Sequence, residues 1–294
     1  MPAAGGLSFV LGLTAGLLLA ASVARWQLKS LTVENYRGRQ VKVAGGIVIV
    51  LALIVIQLIA LGVGAVVPAR PPGTPFTGFV FDWAAVLGSL NRTHMGLLVL
   101  VLGFFCLGLL DDVAGDRYNK GFAGHVKALL KGKITTGSLK AFGGAALAFA
   151  VATWWEGSLP AGLLGGAVIA LSANLVNLLD LRPGRALKVF LPAWLVLALI
   201  WVSSVYLLVS TAVAGAAVAW MPADLREKGM LGDSGANMLG AILGAGVVLS
   251  IGVAGRVVIL AALVALTLAS ERWSFTAAIE KFAPLRWLDG LGRL

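Results

Sequence analysis

The chain has 294 residues, of which 59% are hydrophobic and 12% charged, and its mean hydropathy is +0.95. A soluble domain carries about 25% charge, so a soluble globular fold is excluded and an all-α, polytopic transmembrane bundle is predicted. The net charge of +10 would suit nucleic acid, but its placement excludes that partner: the basic residues gather in loops on one side of the predicted spans.

A first span is predicted over residues 7–24. The N-terminus lacks the basic n-region of a signal peptide, and positive charge follows the apolar run at Arg25 and Lys29, so the N-terminus is expected outside. The loop 25–43 adds Arg37, Arg39 and Lys42 and is expected in the cytoplasm. Within it, Asn35-Tyr36-Arg37-Gly38-Arg39 leads to Gly45-Gly46 at the start of a second span, 44–67. Glycines there either pack helices or let a ligand approach the backbone. Segment 68–94 is rich in proline, glycine and threonine and is expected outside, since its apolar patch, 76–90, is too short and interrupted to span. The third span, 95–110, holds Cys106, the single cysteine; an intrachain disulfide is therefore excluded and core packing is expected.

This span runs directly into Asp111-Asp112, followed by Asn119-Lys120-Gly121, His125, Lys127, Lys131 and Lys133. Carboxylates at the mouth of a span need compensation, and hard oxygen ligands select magnesium, with manganese as the alternative. The lysines suit a phosphate-bearing substrate. Equally, the acidic pair could simply end a helix in water.

Span four is predicted over 139–155, with Trp154 and Trp155 as an outer aromatic belt, and span five over 159–176. Asn174, Asn177 and Asp180 follow at intervals of three and share one helix face, where polar groups need partners. Helix–helix hydrogen bonding is the bland reading of that stripe. Arg182, Arg185 and Lys188 come next. The apolar stretch 186–220 crosses once or twice; Arg226 and Lys228 mark the following loop as cytoplasmic and decide for two short crossings, with the turn near 203–204. Loop 221–237 carries Gly232-Asp233-Ser234-Gly235, a third carboxylate site directly before an apolar span. Spans eight and nine are predicted over 238–253 and 257–269. The expected organisation is one transmembrane domain, 1–269, and a cytoplasmic amphipathic tail, 270–294. Of the 23 Lys and Arg residues, 20 fall in the segments expected in the cytoplasm or, as Lys140 and Lys188, at the adjoining ends of spans, and only Arg70, Arg92 and Arg256 fall outside.

Asp111, Asp112, Asp180 and Asp233 thus converge at one cytoplasmic membrane face, and four carboxylates cannot all ionise together without cations. Magnesium with nearby lysines is a combination typical of phosphoryl chemistry. In order and spacing, the Asp111-Asp112 stretch with Asn119-Lys120-Gly121, the Asn174-x-x-Asn177-x-x-Asp180 stripe and Gly232-Asp233-Ser234-Gly235 resemble the polyprenyl-phosphate N-acetylhexosamine-1-phosphate transferase superfamily, along about residues 35–237. Phospho-N-acetylmuramoyl-pentapeptide transferase and the enzymes that start O-antigen and teichoic acid synthesis are members.

The resemblance implies an all-helical fold of about nine spans here, magnesium dependence, and transfer of a sugar 1-phosphate from a UDP-sugar to polyprenyl phosphate with release of UMP, at the cytoplasmic (inner) membrane. It implies that Asp111 and Asp112 are the catalytic pair and that Asp233 joins them at the metal. Substrate binding would fall to Lys120, Lys127, Asn35, Asn174, Asn177 and Asp180. Three departures stand out. The asparagine motif continues into Leu181-Arg182-Pro183-Gly184-Arg185 in place of a glycine-rich acidic turn, no histidine cluster occurs near Glu271-Arg272-Trp273, and a tenth span is not expected. Arg182 and Arg185 are therefore candidates to clamp a diphosphate, which favours a small UDP-N-acetylhexosamine over the muramoyl-pentapeptide donor. Two other classes compete. A transporter using the acids as a relay predicts an inverted repeat, and none is visible; a non-catalytic, lipid-binding relative would tolerate the altered 181–185 segment. The oligomeric state, monomer or homodimer, is left open.

Overall fold

Long apolar runs in a membrane must satisfy their backbone polar groups internally, which helices do without partners. The computed structural model, which describes residues 2–26, 29–66, 90–115, 135–200 and 204–293, is correspondingly all-helical apart from one small sheet. In chain order the helices are α1 (Pro2–Val23), α2 (Gly45–Val66), α3 (Arg92–Ala114), α4 (Thr136–Glu156), α5 (Leu159–Leu179), α6 (Arg185–Leu199), α7 (Ser204–Leu225), α8 (Gly232–Ser250), α9 (Val253–Arg272), α10 (Phe275–Lys281) and α11 (Ala283–Gly290).

Among the described residues, seven helices are long and apolar enough to cross a membrane: α1, α2, α3, α5, α7, α8 and α9. The sequence reading expected about nine crossings. The two helices that fall short are α4, diluted by Lys140, Trp154, Trp155 and Glu156, and α6, whose 15 residues reach only about 22 Å. The chain nevertheless reverses between α6 and α7, because the Gly184 amide, at the start of α6, donates to Asp224 Oδ2 near the end of α7 at 3.2 Å. The turn itself is expected near 203–204, and residues 201–203 lie outside the described residues.

Helix α8 is the centre of the bundle: 89% of its apolar window is buried, against 11% for peripheral α9. It packs on α2, α3 and α5. Its small residues make this possible. A Cβ on Gly240 would lie 2.4 Å from the Ser172 carbonyl oxygen, and one on Gly244 2.6 Å from Ile169 Cα, so these two glycines let α8 and α5 touch backbone to backbone.

One feature was not anticipated from the sequence. Strands β1 (Thr32–Glu34) and β2 (Gln40–Val43) form an antiparallel hairpin, and β3 (Gly229–Met230) adds in parallel, pairing Lys42 with Gly229. The Asn35 side chain organises the hairpin turn, its Oδ1 accepting from the amides of Arg37 (2.9 Å) and Arg39 (3.0 Å). The sheet ties the loop before α2 to the loop before α8.

At the opposite end of the bundle, Arg256 pairs with Glu156 at 2.8 Å and Trp155 Nε1 donates to the Arg92 carbonyl at 3.2 Å. Buried His94 hydrogen-bonds Gln57 at 2.9 Å there. Arg92 and Arg256, two of the three basic residues expected outside, thus share one end, far along the helices from Asp111, Asp180 and Asp233.

Candidate functional site

Asp111 and Asp112 occupy the last turn of α3, where the helix dipole disfavours negative charge. Each has a distinct compensation. Thr135 and Ser138 form a capping box that fixes the start of α4, and one turn on Lys140 reaches back to Asp111 Oδ2 at 2.5 Å. The same ammonium contacts Asp233 Oδ2, in the first turn of α8. Lys140 therefore stands between two carboxylates from two other helices, with all three side chains partly exposed (18%, 16% and 32%).

Asp112 does something different. Its two carboxylate oxygens accept from the amides of Asp233 (2.9 Å) and Ser234 (3.0 Å), at the positive end of α8. Asp180, after the end of α5, accepts from the Gly232 amide at 3.0 Å. Two carboxylates from two helices thus cap the N-terminus of a third. Close approach is required, and Gly108 provides it: a Cβ there would lie 2.4 Å from the Asp233 carbonyl oxygen. Burial raises the Asp180 carboxyl well above its ordinary range, reinforced by the nearby charges of Asp224 and Asp233 and only partly opposed by the Gly232 hydrogen bond.

The remaining sequence candidates are distributed as follows. Asn177 Oδ1 is buried without a hydrogen-bond partner among the described residues, and Asn174 is half-buried with no side-chain hydrogen bond among them. Asn35 belongs to a neighbouring cluster around Glu227, whose carboxylate accepts from Asn35 Nδ2 (3.0 Å) and the Tyr36 hydroxyl (3.2 Å) and pairs with Arg37 at 3.1 Å. Arg182 stacks on the Tyr36 ring at 4.0 Å and pairs with Glu280 at 3.5 Å. Arg185 faces the tail: its guanidinium grips Asp289 with two bonds, 2.8 and 2.9 Å, and Thr276 at 3.0 Å. A diphosphate clamp by Arg185 would require those bonds to open. Lys120 and Lys127 lie outside the described residues.

Lys140, Asp224 and Glu227 were not singled out as site residues from the sequence. An ionisable residue early in an apolar segment was the available signal for Lys140, and a carboxylate closing an apolar helix was the signal for Asp224. Glu227, with its left-handed backbone (φ 53°), had none.

Two carboxylates, from Asp111 and Asp233, face one ammonium here, and a third, from Asp112, lies beside them on the α8 amides. Among the described residues, no group of three metal-ligating side chains is gathered closely enough to hold an ion. Magnesium needs fewer: it commonly takes one or two carboxylates and completes its shell with water and substrate phosphates. Asp111 and Asp233, already bracketing the Lys140 cation, suit that mode, whereas both oxygens of Asp112 are committed to α8.

Seven apolar helices of spanning length, closed around a polar cluster at one end, define a multi-pass membrane protein. No protein-family model matches the chain, and no curated protein matches it either.

Proposed function

We propose that the chain transfers a sugar 1-phosphate of the N-acetylhexosamine type from a UDP-sugar to polyprenyl phosphate, releasing UMP, in cell-envelope glycan synthesis. The observation that supports this most is the meeting of Asp111, Lys140 and Asp233, from three separate helices, at one end of the bundle. The reading places nine crossings in the inner membrane and this end in the cytoplasm, following the distribution of Lys and Arg.

In the reaction, an oxygen of polyprenyl phosphate forms a bond to the β-phosphorus of the UDP-sugar. The bond from that phosphorus to the oxygen bridging the two phosphates breaks, and UMP leaves with that oxygen. The second pKa of a phosphate monoester is about 6, so the attacking oxygen is already largely ionised at neutral pH and needs no base. In this reading Lys140, which bonds Asp111 and Asp233, also donates to a phosphate oxygen. Asp111 and Asp233 would hold magnesium, which when bound neutralises the diphosphate. Asp112 keeps Asp233 in register through the α8 amides. Asn177, with its unpartnered oxygen, and Asp180 line the nucleotide side in this reading.

The muramoyl-pentapeptide donor is the alternative substrate within this class. One observation favours a non-catalytic, lipid-binding relative: Lys140 already occupies the space between the two carboxylates. Purified protein incubated with polyprenyl phosphate, magnesium and a panel of UDP-sugars distinguishes the cases. UDP-N-acetylglucosamine or a similar small donor is expected to yield UMP. Faster consumption of the muramoyl-pentapeptide nucleotide overturns the donor choice, and absence of UMP with every donor overturns the reaction class.

A further inference from the structure

Away from the acidic cluster, a cavity of about 620 Å³ opens between the tail and the helices beneath it. Val189 and Pro192 of α6, Met221 and Leu225 of α7, and Leu285 and Leu288 of α11 supply its apolar walls. It shares no lining residue with Asp111, Asp112, Asp180 or Asp233. One end is charged. Asp289 is shared there by two guanidiniums, those of Arg185 (2.8 and 2.9 Å) and Arg293 (2.9 and 2.6 Å). Lys188 lines the same end and donates only to uncharged acceptors, the carbonyls of Leu288 (3.1 Å) and Asp289 (2.6 Å), leaving its third donor without an acceptor among the described residues. Even with nearby Asp224 counted, three cations face two carboxylates among the described residues.

The cavity is also placed where lipid would meet it. Val189, Leu195 and Val196 of α6 are exposed apolar residues, and the tail that roofs the cavity exposes Trp273, Phe282 and Trp287. Aromatic residues of that kind settle at the membrane–water interface, and an amphipathic segment lies in its plane. A water-soluble anion has no use for the apolar walls, and a neutral lipid has no use for the excess cations.

We infer that this cavity takes one acyl chain of an anionic phospholipid, with the headgroup phosphate against the Lys188 ammonium. The site is independent of the transferase reading, since it uses none of the residues assigned to that chemistry except Arg185, which stays bound to Asp289.

Photo-crosslinking tests this. The full chain is placed in phosphatidylcholine nanodiscs containing a probe with a diazirine in its acyl chain, built either as phosphatidylglycerol or as phosphatidylcholine. The phosphatidylglycerol probe is expected to label peptides covering 185–192 and 279–292 several-fold more than its neutral counterpart. Val189→Trp, which fills the cavity and leaves the charged end intact, should remove that excess, and Lys188→Gln should reduce it. Leu288→Trp fills the cavity from the tail, so it gives the same readout without disturbing the bundle. Equal labelling by the two probes, or a phosphatidylglycerol excess that persists in both filled variants, overturns the assignment and leaves only annular lipid.

Discussion

Asp111 and Asp112 are adjacent in sequence yet do opposite work, one facing a cation and the other a helix terminus. Under the proposed function, exchanging Asp111 or Asp233 for Asn should cut turnover by orders of magnitude while the fold survives, because the lost charge would hold the magnesium; near-normal turnover of Asp233→Asn would remove the metal assignment. Asp112 should respond as a cap. Asp112→Ala is expected to cost about 1–2 kcal/mol in a thermal or denaturant melt, and Asp112→Asn less, since Asn is also a good N-cap. Lys140→Met isolates the ammonium. Breaking a fully buried pair costs about 3–5 kcal/mol; partial exposure here reduces the expected loss to about 2 kcal/mol in chelator. Magnesium should restore most of it, and a melting temperature indifferent to magnesium would contradict a divalent site. At this scale the acids were legible because charge in an apolar segment is conspicuous. Their division of labour was not, because it depends on which carboxylate meets the amides of α8, and only tertiary placement decides that.

Helices α6, α10 and α11 form a unit bound by charge. The Arg185 and Arg293 hydrogen bonds overcome the effect of burial and hold the Asp289 carboxyl down at about 2, below its ordinary 3.8. A depressed carboxylate stabilises the docked tail fully above its unfolded value and loses that contribution as pH falls through its folded one. Tail docking, followed by hydrogen exchange over 275–290, should therefore persist from neutrality to about pH 4 and weaken between about pH 4 and 2. Asp289→Asn should loosen the tail at pH 7, and unchanged protection in that variant would show that apolar contacts alone hold it. The tail was read as amphipathic from Trp273, Phe282 and Trp287 among basic residues. Its docking onto α6 was not: Arg185 was read as a ligand clamp because a guanidinium beside a polar stripe looks the same whether its partner is a diphosphate or Asp289. The small sheet was missed for a related reason, since β1, β2 and β3 are each at most four residues long and β3 joins β2 from 187 positions away, Lys42 pairing with Gly229.

For the molecule as a whole, alternation of helix direction brings Asp111, Lys140, Asp180, Asp224 and Asp233 to one end and Arg92, Glu156 and Arg256 to the other. The helical class and the reversal within 186–220 were legible from hydropathy and charge. Crossings by α4 and α6 were predicted from the same signals, yet neither helix has both the length and the apolarity of a span. Single-cysteine labelling in a Cys106→Ala background should find positions 182, 228 and 281 accessible from the cytoplasmic side and position 72 from the other. Label reaching position 228 from outside would separate the two halves of the site. UMP release carries the question of function itself. The purified full chain, given UDP-N-acetylglucosamine and polyprenyl phosphate, should release UMP in magnesium and stop in chelator, and the Asp233→Asn protein should release none in either. UMP release that persists in chelator, or in the Asp233→Asn protein, would contradict a transferase built on this carboxylate site.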